Sequence, residues 1–433
     1  MRSPITAWNR WPVFTDQEVI GLFDRDAPLP RLGKPCIARG NGRSYSDVCL
    51  NDGGVLLETR GLDHFLSFDP AAGTLCCEAG VLLADIVKIA VPHGWFLPVT
   101  PGTLLVSVGG AIANDVHGKN HHVAGSFGRH VRRLALRRSD GEVRICGPDI
   151  LAESFAATVG GLGLTGLILW AELQLLSIDG PQMELESRRF ASLDEFWDIN
   201  ASATRKWPYT VAWIDCLAHS RGGRGRGWLH CAQHAPASAP ATVRPAEPRR
   251  VLVEPPFSLV NGVSARIFNA LYFRASHGAS RTGHFEPYFY PLDRIRDWNR
   301  LYGARGFLQY QCVLPPASAR TALRTLLDRI AGSGEPAFLG VLKTFGDFIP
   351  TGLLSFARAG ATLAVDFPLR GERTFRLLRD LDSVVEEAGG ALYPAKDARM
   401  PARMFRIGFP RAEEFGRQVD PMMSSSFWRR VSG

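Results

Sequence analysis

The chain has 433 residues, 45% of them apolar and 10% aromatic, with a net charge of +8. That length suggests two or three domains, and the composition excludes wholesale disorder. The longest weakly polar run, Ala156–Ala171, contains four glycines and falls short of the ~20 residues that a spanning helix needs. The start, MRSPITAWNRW, lacks an apolar h-region, so no secretory signal and a cytoplasmic location are expected.

The charge is uneven. Residues 217–280 carry eight Arg against Glu247 and Glu254, a net +6. This is either a solvated basic loop or a contact for an anionic lipid headgroup or phosphorylated substrate. Nucleic acid is not expected, because interleaved aromatics and a helical arginine stripe are lacking. The eight cysteines form no CxxC pair, so they read as reduced core residues and not as a zinc site. Only six of the 50 basic residues are lysines: 34, 88, 119, 206, 343 and 396. Lysine is the ammonium whose pKa burial can tune, so a lysine kept in so Arg-rich a chain is a candidate functional group.

In chain order, Val55–Glu58, Phe65–Phe68 and Thr74–Glu78 read as strands between glycine turns. Leu82–Ala90 carries Leu83, Ile86 and Ile89 at helical spacing and should stop near Pro92–Gly94. Three glycine-rich constellations punctuate this first part. Arg39–Asp47 (RGNGRSYSD) can form a tight turn presenting N–H groups to a phosphate, although turn glycines without a ligand would look the same. Pro101–Thr103, Val108–His122 and Gly125–Gly128 crowd Gly, Asn and His together as few core segments do. Their histidines 117, 121 and 122 lack an acidic partner, so metal binding is not expected. Gly161, Gly163 and Gly166 match a dinucleotide fingerprint, but that motif should open a helix and here precedes a strand-like run.

Residues 217–256 are rich in Gly, Arg, Pro and Ala and read as a long mobile loop or linker. From 307 the pattern is regular. Strands over Leu308–Val313, Phe338–Phe345, Thr362–Phe367 and Ala391–Tyr393 alternate with helices over Ser318–Ile330 and Glu372–Ala388. That order, β-α-β-β-α-β, is a split βαβ motif with helices on one sheet face. The period of two groups Gln309 with Gln311, and Lys343 with Phe345, predicting an open polar wall on the other face.

The segments Arg39–Tyr45, Pro101–Thr103, Val108–Ile112 and Thr158–Gly166 resemble, in order, the FAD-binding domain of the vanillyl-alcohol oxidase superfamily, or PCMH-type flavoproteins. Asp115–His122, Phe307–Gln311, Ala364–Pro368 and Leu392–Asp397 are similar to hallmarks of its decaprenylphosphoryl-β-D-ribose 2-oxidase branch, and that similarity runs over nearly the whole chain. The resemblance implies an α+β fold. A two-subdomain FAD-binding domain would span 1–178 and be completed by 391–433. A substrate domain on an antiparallel sheet, with helices on one face, would span 179–390.

It also implies residue roles. FAD would be held noncovalently, because Arg43 stands where many members carry the attaching His. Its contacts would be Arg39, Gly40, Asn41, Gly42, Arg43, Ser44, Tyr45, Pro101, Gly102, Thr103, Ser107, Gly109, Gly110, Asn114, His117, Gly118, Gly166 and Tyr393. Lys119, Trp213, Gln309, Gln311, Lys343, Phe345, Thr362 and Ala364 would line the substrate pocket. Thr362 and Ala364 replace the branch's usual Asn and Cys.

Alcohol oxidation needs a proton acceptor. Lys396, if desolvated, fits that part, and His117 is the other candidate. The implied substrate is a lipid-linked sugar phosphate, with an NADH-dependent short-chain reductase as functional partner at a peripheral membrane surface, in cell-envelope arabinan synthesis. The alternative is a sugar, alditol or aldonolactone oxidase acting on a soluble substrate. Its alditol branch's H-W-x-K is absent, and Tyr393-Pro-Ala-Lys396 stands instead. A flavin-free binding protein on the same scaffold is disfavoured by the intact glycine motifs.

Overall fold

The computed structural model describes residues 5–220, 223–239, 247–275 and 280–433. Among these residues, three main sheets organise the chain. A three-stranded parallel sheet orders Gln17–Gly21, Gly54–Glu58 and Cys36–Arg39. An antiparallel five-stranded sheet orders Phe65–Asp69, Thr74–Glu78, Leu167–Gln174, Val131–Arg137 and Val143–Cys146. The two meet through Cys36, Val55 and Leu57 on one side and Ala135, Leu167 and Leu169 on the other. The strand after Gly166 is why the dinucleotide reading fails: no helix opens there for a pyrophosphate to cap.

The third sheet has eight antiparallel strands. Its order is Ser280–His284, Gln182–Phe190, Gly227–His234, Tyr209–Ile214, Gly340–Phe345, Gly360–Pro368, Phe307–Leu314 and Ala391–Leu392. Its last four strands, with the Ala319–Ser333 and Glu372–Glu387 helices, form the split βαβ unit expected from residue 307 onward. Leu323, Leu326 and Leu327 of one helix and Leu377, Leu378 and Leu381 of the other are buried in one cluster with Leu342, Leu363 and Val365 of the strands. The second helix ends where Gly389 takes a left-handed φ of 70°, which a side chain would resist.

Two expectations need correction. Gly227–His234, inside the presumed mobile loop 217–256, is an eight-residue strand in the interior of the large sheet. Leu229 and Cys231 are buried on it, while Trp228 and His230 alternate with them. The surrounding Gly-Arg and Pro-Ala stretches hid that alternation. Residues 221–222 and 240–246 of the same stretch lie outside the described residues. The second correction concerns the Gln309/Gln311 face, which is not open. It closes over a cavity, and Gln311 is only 4% exposed.

The C-terminal segment returns to the first two sheets. Cys36 N donates to Met422 O, and Ser424 N donates to Cys36 O, both at 2.8 Å. Arg430 binds Asp47 at 2.6 Å, and Tyr393 Oη donates to Asn114 O at 2.9 Å.

Candidate active site

One cavity of about 790 Å³ separates the glycine-rich segments from the large sheet. Its first wall is backbone. Gly40–Tyr45, Pro101–Ser107, Gly109, Gly110 and Asn114 line it. Among the described residues, the N–H groups of residues 40–44 and of Gly102 and Thr103 donate no hydrogen bond. Free N–H groups converging on a concavity suit an anionic phosphate. Gly42 takes a φ of 59°, which lets that turn fold back over Arg39. Gly102 lines the cavity while partly facing solvent, and a Cβ built on it meets no atom within 4 Å.

The second wall is side chains. Strand register sets them in rungs: Gln309 beside Asp366, Gln311 beside Ala364 and Val341, and Thr362 beside Lys343. Gln309 Nε2 donates to Asp366 Oδ1 at 2.5 Å, and Gln311 Nε2 donates to Thr362 Oγ1 at 3.2 Å. Asp366 is fully buried, and its Oδ2 has no partner among the described residues. Lys396 enters from the turn after Tyr393, its N–H donating to Tyr393 O at 2.9 Å. Its ammonium sits 3.6 Å from the Tyr45 ring centroid.

Burial pulls Lys396 below the ordinary lysine range, the Asp366 carboxylate pulls it back up, and Lys343 opposes its charge. The same burial raises Asp366, against the pull of Gln309 and Lys396. A desolvated cation–π contact is worth about 2 kcal/mol. Burying an ammonium costs several kcal/mol. Tyr45 alone therefore does not hold the charge, and the Asp366 carboxylate acts on the ammonium through space, since no hydrogen bond or salt bridge joins them among the described residues.

His117 lies at the cavity floor, with Nδ1 3.1 Å from Lys343 Nζ and Nε2 3.0 Å from Gln311 Nε2. Burial and the neighbouring cations push it well below its ordinary value, so it is neutral. A histidine so reluctant to charge is the weaker base of the two candidates. Burial also lowers Lys343 to about 7. Asp115 fixes the loop that carries His117. It accepts from Ser126 Oγ at 2.7 Å, Gly128 N at 2.8 Å and Ser355 Oγ at 2.5 Å.

Five of the expected residues stand outside the lining. Arg39 pairs with Glu58 beneath the turn. Gly118 lies behind His117 and accepts from Lys343 Nζ at 3.3 Å. Lys119 points to the carbonyl and ring of Tyr288, and burial lowers it to about 7. Trp213 shares the Val341 rung but packs under Tyr272 at 4.6 Å. Phe345 buttresses the His117 and His121 rings. The other expected residues all line the cavity.

Sequence reading missed a third contributor, the Glu286–Trp298 stretch. Asp293 accepts from Leu104 N at 2.8 Å, and Tyr290 Oη meets Thr100 Oγ1 at 2.8 Å, clamping the Pro101–Thr103 turn. The signal was present as an aromatic run, Phe285-Glu-Pro-Tyr-Phe-Tyr290. Asp366 was missed as well, although alternation sets it on the face of Thr362 and Ala364.

Residues 29–147 match the FAD binding domain family. Decaprenylphosphoryl-β-D-ribose oxidase of Mycolicibacterium smegmatis is 36% identical over 92% of this chain and 89% of its own length. The chain belongs to the PCMH-type FAD-dependent oxidoreductases, in the branch of that oxidase. An uncharacterised Streptomyces coelicolor protein is 33% identical over 81% of this chain and all of its own. Mouse L-gulonolactone oxidase is 32% identical over only 39% of this chain and 38% of its own. A PCMH-type oxidoreductase uses FAD, and the cavity fits it. The unspent N–H groups and the buried, unpartnered Asn114 Oδ1 and Arg43 Nε offer the polar partners such a cofactor needs. No described helix is long and apolar enough to cross a membrane.

Proposed function

We propose that the chain oxidises the 2-hydroxyl of a polyprenyl-phospho-β-D-ribose to the 2-keto sugar. This is the first half of an epimerisation to the arabinose form, completed by an NADH-dependent short-chain reductase in cell-envelope arabinan synthesis. The observation that carries the reading is that Lys396 and Gln309, backed by the buried Asp366, line one cavity together with the glycine-rich wall. Similarity to the mycobacterial ribose oxidase over nearly the full chain supports the substrate class. Residues 1–178 with the returning tail up to 433 act as the cofactor unit and 179–390 as the substrate unit, the tail setting out from Ala391–Leu392, which closes the large sheet.

FAD, when bound, supplies the two-electron acceptor for oxidation at the carbinol carbon. Lys396 accepts the hydroxyl proton, and Asp366 tunes that amine. Gln309 and Gln311 orient the sugar, Lys343 holds His117, and the amide-lined turn at residues 40–44 holds the cofactor phosphates. Arg43, 4.2 Å over the Trp8 ring, occupies the place of the attaching His, so acid should release intact FAD. Flavin that stays with the precipitated chain would contradict this.

Anaerobic bleaching of the flavin absorbance tests the whole reading. A short-chain prenyl-phospho-ribose should bleach it, while free ribose and gulonolactone should not. Bleaching by gulonolactone alone would transfer the chain to the soluble-sugar oxidases.

A further inference from the structure

The Gly262–Arg274 helix packs inward with Ala265, Phe268, Asn269 and Tyr272. Phe268 lies 4.6 Å from Phe338, and Asn269 binds Asp215 at 2.9 Å. Its outward stripe is apolar: Val263, Ile267 and Leu271, one turn apart. The loop leading into it adds Leu252, Val253, Phe257 and Leu259. All seven side chains are between 47% and 78% exposed. The loop is pinned and not dangling, since Leu259 N donates to Leu301 O at 2.9 Å and Ser264 Oγ donates to Leu259 O at 2.8 Å. A folded monomer rarely leaves so many large apolar side chains together in water.

Charge says what covers them. Residues 252–285 contain Arg266, Arg274 and Arg281 against one acidic residue, Glu254, which is paired with Arg10. Arg266 flanks the apolar stripe and Arg274 closes it, both exposed. Apolar side chains edged by arginine suit the boundary between the headgroups and acyl chains of an anionic bilayer. The patch also adjoins the mouth of the cavity. Arg249 and Arg250 precede it and pair with Ile295 and Arg296, and Arg250, Ile295 and Arg296 line the cavity.

We infer that the Gly262–Arg274 helix and the 252–259 loop form a docking face for an anionic lipid surface. The face holds the cavity mouth at the bilayer, so that a lipid-linked substrate passes from membrane to site without crossing water. The purpose of the face rests on the lipid-linked reading above; its existence does not.

Sedimentation of the FAD-loaded chain with vesicles tests it, using mixed phosphatidylglycerol and phosphatidylcholine or phosphatidylcholine alone. The chain should pellet with the anionic vesicles, and less in high salt. Ile267→Glu with Leu271→Glu should lower the partition coefficient by about tenfold or more. Arg266→Gln with Arg274→Gln should lower it by about fivefold per arginine, in low salt only. Both variants should stay yellow and be reduced normally by a water-soluble short-chain prenyl-phospho-ribose, because none of these side chains lines the cavity. Wild type left in the supernatant, or a double-Glu variant that pellets like wild type, overturns the inference. So does a wild-type dimer, or a complex with a reductase, that the Glu variant splits while vesicle binding is absent. If no prenyl-phospho-ribose reduces the wild type, the substrate reading fails, and vesicle binding still judges the face on its own.

Discussion

The two walls of the cavity are built by opposite means. The wall of residues 40–45 and 101–114 works through backbone, with N–H groups left free and glycines that keep side chains away. The opposite wall works through side chains set in register by strands, among them Gln309, Gln311 and Lys343, with Asp366 buried behind them. On the proposed reading, a cofactor kept through many turnovers would be held by groups that do not titrate, and the chemistry would fall to groups that burial has made titratable.

This division can be broken by substitution. Lys396→Ala should keep the yellow colour yet slow anaerobic flavin reduction by at least ~10²-fold, the low end for general acid–base groups. Lys396→Arg should not rescue it, since a guanidinium stays charged. Near-normal reduction by the Arg variant would make Lys396 a mere phosphate anchor. Gly102→Val should do the reverse. Its side chain would enter open space at the cavity lining without touching protein, where the proposed cofactor would meet it. An overpacking cost of about 1–3 kcal/mol predicts flavin affinity weakened about 5- to 150-fold, read as flavin content after gel filtration. Full occupancy would move the cofactor elsewhere in the cavity.

Asp366→Asn sharpens the comparison. Reduction should fade on the acid side as the Lys396 ammonium forms. Without the carboxylate that raises Lys396, the midpoint should move to still lower pH, with a rate loss of about tenfold. A midpoint that stays in place would uncouple the pair. The smallest effect is expected for Ser107→Ala. Ser107 Oγ accepts from Gly110 N at 3.3 Å and caps the Val108–Ala113 helix. Its loss should cost about 1 kcal/mol in urea denaturation.

The two walls also differed in how well they could be read beforehand. The glycine wall was legible because crowded glycines mark close backbone approach: a Cβ on Gly40 would strike the Ser107 hydroxyl, and one on Gly110 would crowd it. The strand wall was legible through its alternation. Gln309 and Gln311 were found that way, and the same rule would have found Asp366. Asp293 was not legible. It reaches the Pro101–Thr103 turn across 189 residues, through packing that no local pattern encodes. The Gly227–His234 strand was hidden by its flanks, where Gly and Arg suggested a loop and central burial overrode them.

The return of the tail has a consequence for biogenesis. Tyr393 completes the cavity, and Met422–Ser424 straps Cys36 into place. During synthesis the first half of the chain therefore emerges with its flavin cradle unfinished, and contacts spanning more than 370 residues must wait for translation to end. Such long-range closure is slow. On the proposed site, flavin capture is then expected late, after release from the ribosome, and a chain truncated before residue 390 should be purified colourless.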